Sequence, residues 1–189
     1  NLRALGALYP ETVQFITRAD FNINSIRDLK GKSVSSGAPG SGQYQLLTDL
    51  LKVHGMTRAD VKEDLSSFTQ AVDKIKDGNL HATLITAGTP TAAVTDFAQS
   101  HALKVIPLAG PEIAELQKQQ PYYTRVPLPA NTYKGQTATV DTLAVMAVWV
   151  AHDGVSDAMA YEVTKALYEN TAIMGQVHAQ GKNISLTTA

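Results

Sequence analysis

The stretch Asp28-Leu29-Lys30-Gly31-Lys32-Ser33-Val34-Ser35-Ser36-Gly37-Ala38-Pro39-Gly40-Ser41-Gly42 leaves this chain few folds to choose from. Asn24 or Ser25 can cap a short helix through Lys30, and Gly31 stops it. Ser33 to Ser36 then reads as a short buried strand, and a glycine-rich loop leads into a helix from about Gly42 to His54. Leu46, Leu47, Leu50, Leu51 and His54 share one face of that helix, and Gly55 ends it. A buried strand that feeds a helix through such a loop is the building unit of an α/β fold.

The same alternation continues in both directions. Leu2 to Tyr9 and Val13 to Arg18 read as strands separated by Pro10. A short strand is expected around Val61 to Leu65, a helix from Thr69 to Asp77 with Ala71, Val72 and Ile75 on one face, and a compact strand from Ala82 to Ile85. Thr89 suits an N-cap and Pro90 a first helical residue, so a second helix start is expected just after that strand. Leu103 to Leu108 reads as a strand, Pro111 to about Gln120 as a helix, and Pro121 to Gln136 as loop. Thr139 to Ala151 is the long apolar strand, expected to be covered on both faces. Asp153 to Asn170 closes with an amphipathic helix whose Met159, Val163, Ala166 and Leu167 should face inward. Alternating strands and helices predict a largely parallel sheet.

Bulk properties exclude several functions. A formal net charge of −1 gives no electrostatic case for nucleic acid or an anionic membrane as partner. The longest apolar run, Leu143 to Ala151, falls far short of the ~20 residues of a membrane helix, so no direct membrane insertion is expected. Without cysteine there is no disulfide, no thiolate metal site and no cysteine nucleophile. His54, His81, His101, His152 and His178 have no metal-ligand spacing, and no Gly-x-Ser-x-Gly elbow occurs. The expectation is a chain with no metal, no cofactor and no catalytic residues.

The glycine loop is the candidate site. It lacks the Gly-Lys-[Ser/Thr] of a nucleotide phosphate loop, since Gln43 and Tyr44 follow Gly42. Free backbone N–H groups at the helix start and the Ser41 hydroxyl still suit a small anion. The plain alternative is a tight turn whose glycines only relieve steric strain. Thr86-Ala87-Gly88-Thr89-Pro90 is ordinary capping chemistry taken alone. In a parallel sheet, however, it shares the carboxyl edge with the glycine loop and becomes a second wall. Tyr122 and Tyr123 could line a ligand or pin a loop, and Arg18 and Arg125 are possible carboxylate partners.

Several segments together resemble one family. Leu8-Tyr9-Pro10-Glu11, Asp28 to Val34, Gly37 to Gly42, Ala87-Gly88-Thr89-Pro90, Pro129 to Gln136 and Thr164 to Asn170 follow the order of TAXI-type receptors. Those are the extracytoplasmic solute-binding proteins of tripartite ATP-independent periplasmic (TRAP) transporters. The resemblance implies a type II periplasmic-binding-protein-like fold: two α/β lobes joined by crossing strands, closing on a small organic anion such as glutamate or a dicarboxylate. It further implies a periplasmic or extracytoplasmic location and delivery of the anion to the membrane permease subunits. Carried onto this chain, the ligand contacts are Ala38, Gly40, Ser41, Gly42 and Gln43 in the first loop, and Ala87, Gly88 and Thr89 in the second. Gln43 stands where the family often has threonine. Residues 1–14 and 137–189 would belong to the first lobe and 15–136 to the second. The family's opening strand–loop–helix does not precede Asn1, so the first lobe is expected to be incomplete. The alternative is an enzyme or effector-sensing domain on the same two-lobe fold.

Overall fold

A computed structural model describes residues 1–189. The chain forms two compact units, Thr12–Val145 and Asn1–Glu11 with Met146–Ala189. Strands β1 (Leu2–Arg18) and β7 (Val140–His152) contribute residues to both.

Within Thr12–Val145 the element order is β1, β2 (Ser33–Ser35), α1 (Gly42–Val53), β3 (Lys62–Asp64), α2 (Phe68–Lys76), β4 (Ala82–Ala87), α3 (Ala92–Ser100), β5 (Leu103–Val105), α4 (Pro111–Gln119), β6 (Thr124–Leu128) and β7. The sheet order is β3-β2-β4-β1-β7-β6, with β5 pairing β1. Strand alternation sends side chains to opposite faces, and two apolar layers result. Val13, Phe15, Val34, Ala82 and Leu84 pack with Leu46, Leu47, Leu50 and Leu51 of α1 and with Ile113 and Leu116 of α4. Ile16, Ile85 and Val105 pack on the other face with Ala71, Val72 and Ile75 of α2 and with Val94 and Phe97 of α3. Each fully buried leucine of α1 contributes roughly 1.5–3 kcal/mol relative to exposure.

Helix boundaries follow from capping chemistry. Ser25 and Asp28 close a capping box over a 3-10 turn, Ile26–Leu29, and Gly31 turns the chain at φ 74°. Gly55 and Gly78 take φ 72° and 77° after α1 and α2, a conformation that costs a residue without a Cβ nothing.

Several expectations are corrected. The sheet, expected to be largely parallel, is parallel between β2 and its neighbours β3 and β4, whereas β1 runs antiparallel to β4 and β5, and β6 to β7. Pro10 does not divide β1. The β1–β4 ladder begins at Thr12, so the missing N–H of Pro10 costs that ladder no bond. Pro121 to Gln136 is not all loop: β6 pairs along the end of the sheet, where Pro127 stands opposite Asp141. β5 stops at Val105, and β4 continues to Ala87.

In the other unit, α5 (Asp157–Glu169) begins at the Ser156 cap, whose Oγ accepts from the Met159 N–H, and is followed by α6 (Thr171–Val177). Met159 and Ala166 of α5 are exposed, Val163 and Leu167 half-buried, and Tyr168 is the buried contact. The Tyr168 hydroxyl donates to the Ala7 carbonyl at 3.3 Å and occupies the space a Cβ on Gly6 would need. β7 is not covered on both faces here. Met146, Val148 and Val150 are exposed, while Ala147, Trp149 and Ala151 are half-buried, because the apolar run has chain neighbours on one side only.

Candidate ligand-binding site

The parallel register sets Val34 beside Ala82 and Ser35 beside Thr83, so the chain leaves β2 and β4 at one carboxyl edge of the sheet. Past β2, Ser36 and Gly37 are buried, and Ala38, Pro39 and Gly40 arch into solvent. Gly37 and Gly40 take φ 74° and 80°, which the arch requires. The Ser41 N–H closes the turn on the Ala38 carbonyl at 3.1 Å. Ser41 is the N-cap of α1, its Oγ accepting from the Tyr44 N–H at 3.2 Å, and its carbonyl takes the Gln45 N–H. The N–H groups of Gly42 and Gln43 are left without a protein acceptor, at the positive end of the helix dipole.

Two further polar atoms lack partners. Gln43 Nε2 is buried with no acceptor; its amide lies against Gly37, where a Cβ would stand 3.5 Å from Oε1. Thr86 Oγ1 is also buried and unpartnered. Thr86 pairs with Val13 and alternates with Leu84, both in the α1 layer, so its hydroxyl lies on the α1 face of the sheet. Leaving such atoms unmet costs about 1–3 kcal/mol each, a cost that an incoming polar group would remove.

The second segment is built differently from the expectation. Thr91, not Thr89, is the N-cap of α3, and the helix starts at Ala92 rather than Pro90. Ala87 ends β4 opposite Thr12, and Gly88, Thr89 and Pro90 form a bend carrying a cis Thr89–Pro90 bond. The reason is a buried polar cluster from outside the segment. Gln14 Nε2 donates to Thr91 Oγ1 at 2.8 Å, the Thr91 N–H donates to the Tyr133 hydroxyl at 2.8 Å, and Tyr133 donates to Gln14 Oε1. Thr91 Oγ1 also donates to the Gly88 carbonyl at 3.0 Å. Burial raises the Tyr133 pKa, so its hydroxyl stays protonated as a donor.

Ala38, Gly40, Ser41, Gly42 and Gln43 thus form one contiguous arch. Ala87, Gly88 and Thr89, all half-exposed, lie past the end of β4 on the same sheet edge. Arg18 and Arg125 are engaged elsewhere. Arg18 binds Asp20 at 2.6 Å at the opposite end of β1, and Arg125 binds Asp141 at 2.6 Å. Tyr123 is buried in the α1 layer and pins its loop, with its pKa raised first by burial; the Tyr122 ring lies against it tilted by 56°, with centroids 4.6 Å apart. Thr86 is not among the contacts expected from the sequence, although strand alternation counted from Ala82 and Leu84 places it on the α1 face. Arg58 carries no sequence signal for its place beside Ser36 and Tyr44.

Over residues 1–189 the sequence matches the NMT1-like family. The alkanesulfonate-binding protein SsuA from Xanthomonas axonopodis pv. citri, solved bound to MOPS, is similar in fold at TM-score 0.57 and 15% identity, over 96% of this chain and 52% of that one. ArgBP from T. maritima is similar at TM-score 0.55 and 12% identity, over 97% of this chain and 61% of that one. The amino acid ABC transporter substrate-binding protein AbpA from Streptococcus pneumoniae, bound to L-arginine, is similar at TM-score 0.52 and 13% identity, over 96% and 61%. The fold is therefore α/β and periplasmic-binding-protein-like, and the chain spans less than two thirds of the length of these structures.

Proposed function

The chain belongs to the NMT1-like family, and on that premise we propose that it serves as an extracytoplasmic solute-binding protein, taking a small organic anion of the glutamate or dicarboxylate kind for a TRAP permease. One observation carries this reading: four groups with unmet hydrogen bonds lie along the carboxyl edge shared by β2 and β4, three of them in the first two residues of α1. They are the Gly42 and Gln43 N–H groups, Gln43 Nε2 and Thr86 Oγ1. Each except the hydroxyl can only donate, which selects an acceptor-rich oxyanion over a cation or an amine. Bonds of this charge-assisted kind are worth roughly 1.5–3 kcal/mol each. We further propose that Thr12–Val145 is the lobe that supplies these contacts, and that Asn1–Glu11 with Met146–Ala189 belongs to the other. The binding step needs no covalent chemistry.

Native mass spectrometry and calorimetric titration with L-glutamate, succinate and methanesulfonate test the reading. Thr86→Val removes one hydroxyl at nearly constant volume, and Ser41→Ala removes the cap that fixes the first turn. Thr86→Val is expected to weaken binding about tenfold, the loss of one charge-assisted bond, and Ser41→Ala to weaken it by loosening the first turn of α1. Gly88→Val should obstruct the same edge. Wild-type affinity in both Thr86→Val and Ser41→Ala would remove the site from this edge.

A further inference from the structure

The arch from Gly37 to Gln43 is flanked by Ser36 and Tyr44, and both flanking residues bond to one guanidinium. Arg58 Nη2 donates to Ser36 Oγ at 3.1 Å, and Nη1 donates to the Tyr44 carbonyl at 2.9 Å. Nη1 also donates to Thr48 Oγ1 at 2.7 Å, one turn further along α1. The guanidinium carbon lies 3.6 Å from the centroid of the Tyr44 ring, a stacked cation–π contact. Glu63 on β3 completes the set: it pairs with Arg58 Nη2, takes Nε at 3.4 Å, and accepts from Ser36 Oγ at 3.0 Å. The Arg58 backbone is itself fixed, since the Thr57 N–H donates to Asp60 Oδ2 at 2.8 Å and the Gly31 N–H to the Asp60 carbonyl at 2.7 Å.

We propose that Arg58 is a positioning residue for oxyanion binding, holding both ends of the Gly37–Gln43 arch at a fixed separation so that the Gly42 and Gln43 N–H groups are set before the ligand arrives. This rests on the binding site proposed above. Two glycines with positive φ make the arch flexible by themselves. A planar fork with five donors can tie Ser36, Tyr44, Thr48 and Glu63 together, and a single ammonium cannot. Glu63 neutralises the guanidinium, so Arg58 acts on the ligand through geometry and not as its counter-ion.

The experiment titrates the wild-type chain, Arg58→Lys, Arg58→Gln, Thr86→Val and the remote control Arg18→Gln with L-glutamate and methanesulfonate. Thermal melts and amide hydrogen exchange are followed on the same samples. Arg58→Lys and Arg58→Gln are expected to weaken binding tenfold or more and to speed exchange across residues 37–45. Arg18→Gln should lose stability with affinity within twofold of wild type. If Arg58→Gln does not fold, Arg58→Lys keeps the charge and the aliphatic stem and decides the matter. Wild-type affinity in Arg58→Lys, with Thr86→Val still weakened, overturns the role of Arg58 and leaves the site standing. No binding of either probe by the wild type overturns both.

Discussion

His81 shows how a single residue here is governed by neighbours that are distant in sequence. The Ser33 N–H points at its Nδ1 at 3.3 Å and Ser33 Oγ lies 2.7 Å from the same atom, so Nδ1 is an acceptor and the proton of the neutral ring sits on Nε2. Burial, then Lys32 and Lys62, push the His81 pKa below its ordinary value. The folded state therefore prefers the neutral ring. Its contribution to stability is complete above about pH 6.5 and is lost as pH falls from there toward the lowered folded value. Chemical denaturation at a series of pH values should show stability declining below about pH 6.5, and His81→Gln should flatten that slope. A steeper decline in the variant would contradict the assignment. The same dependence on tertiary neighbours explains what could be read in advance. Gly37 and Gly40 stood out because a tight glycine turn between strand and helix is a local signal, whereas Ser41, read as a hydroxyl for an anion, is the N-cap of α1. The unmet hydroxyl of Thr86 and the place of Arg58 depend on which strand lies alongside, and that information is not local.

Among the elements, β7 states the limit of hydrophobic patterning most clearly. From Leu143 to Ala151 its residues are almost uniformly apolar, yet Leu143 is fully buried while Val148 is 51% exposed. An apolar run shows what a strand can bury, and its neighbours decide what it does bury. Leu143→Ala should cost about 2–5 kcal/mol in equilibrium unfolding, since it empties a packed site. Val148→Thr should fall within about 0.5 kcal/mol of wild type, and a large loss there would mean that the outer face is covered. The start of α3 carries a related lesson. Thr89-Pro90 is a sound local signal for a helix start, but Gln14 and Tyr133 engage Thr91 and move the cap two residues on. By contrast, α1 and α2 began and ended within a residue or so of expectation because cap, apolar stripe and terminal glycine agreed.

At the scale of the whole molecule, alternation of strand and helix identified the layered α/β architecture, because each amphipathic element must bury one face. It did not reveal that β1 runs against β4 and β5, since pairing direction depends on how the chain re-enters the sheet. Burial is unevenly distributed: apart from Tyr168 and Ile184, every buried hydrophobic residue lies between Val13 and Ala144. Local stability follows buried apolar contact. Amide hydrogen exchange should therefore show Thr12–Val145 as the slow, cooperative unit, with Met146–Ala189 exchanging at lower opening free energy. Equal protection in both would contradict that distribution. The Arg58–Glu63 pair has a consequence for kinetics as well. If this edge binds an anion as proposed, it offers amide dipoles and a hydroxyl beside a guanidinium already paired with Glu63, and so casts little long-range field over a Debye length. An anion is then expected to reach it by unsteered diffusion at a rate nearly indifferent to ionic strength, with preference among anions expressed in how long each one stays.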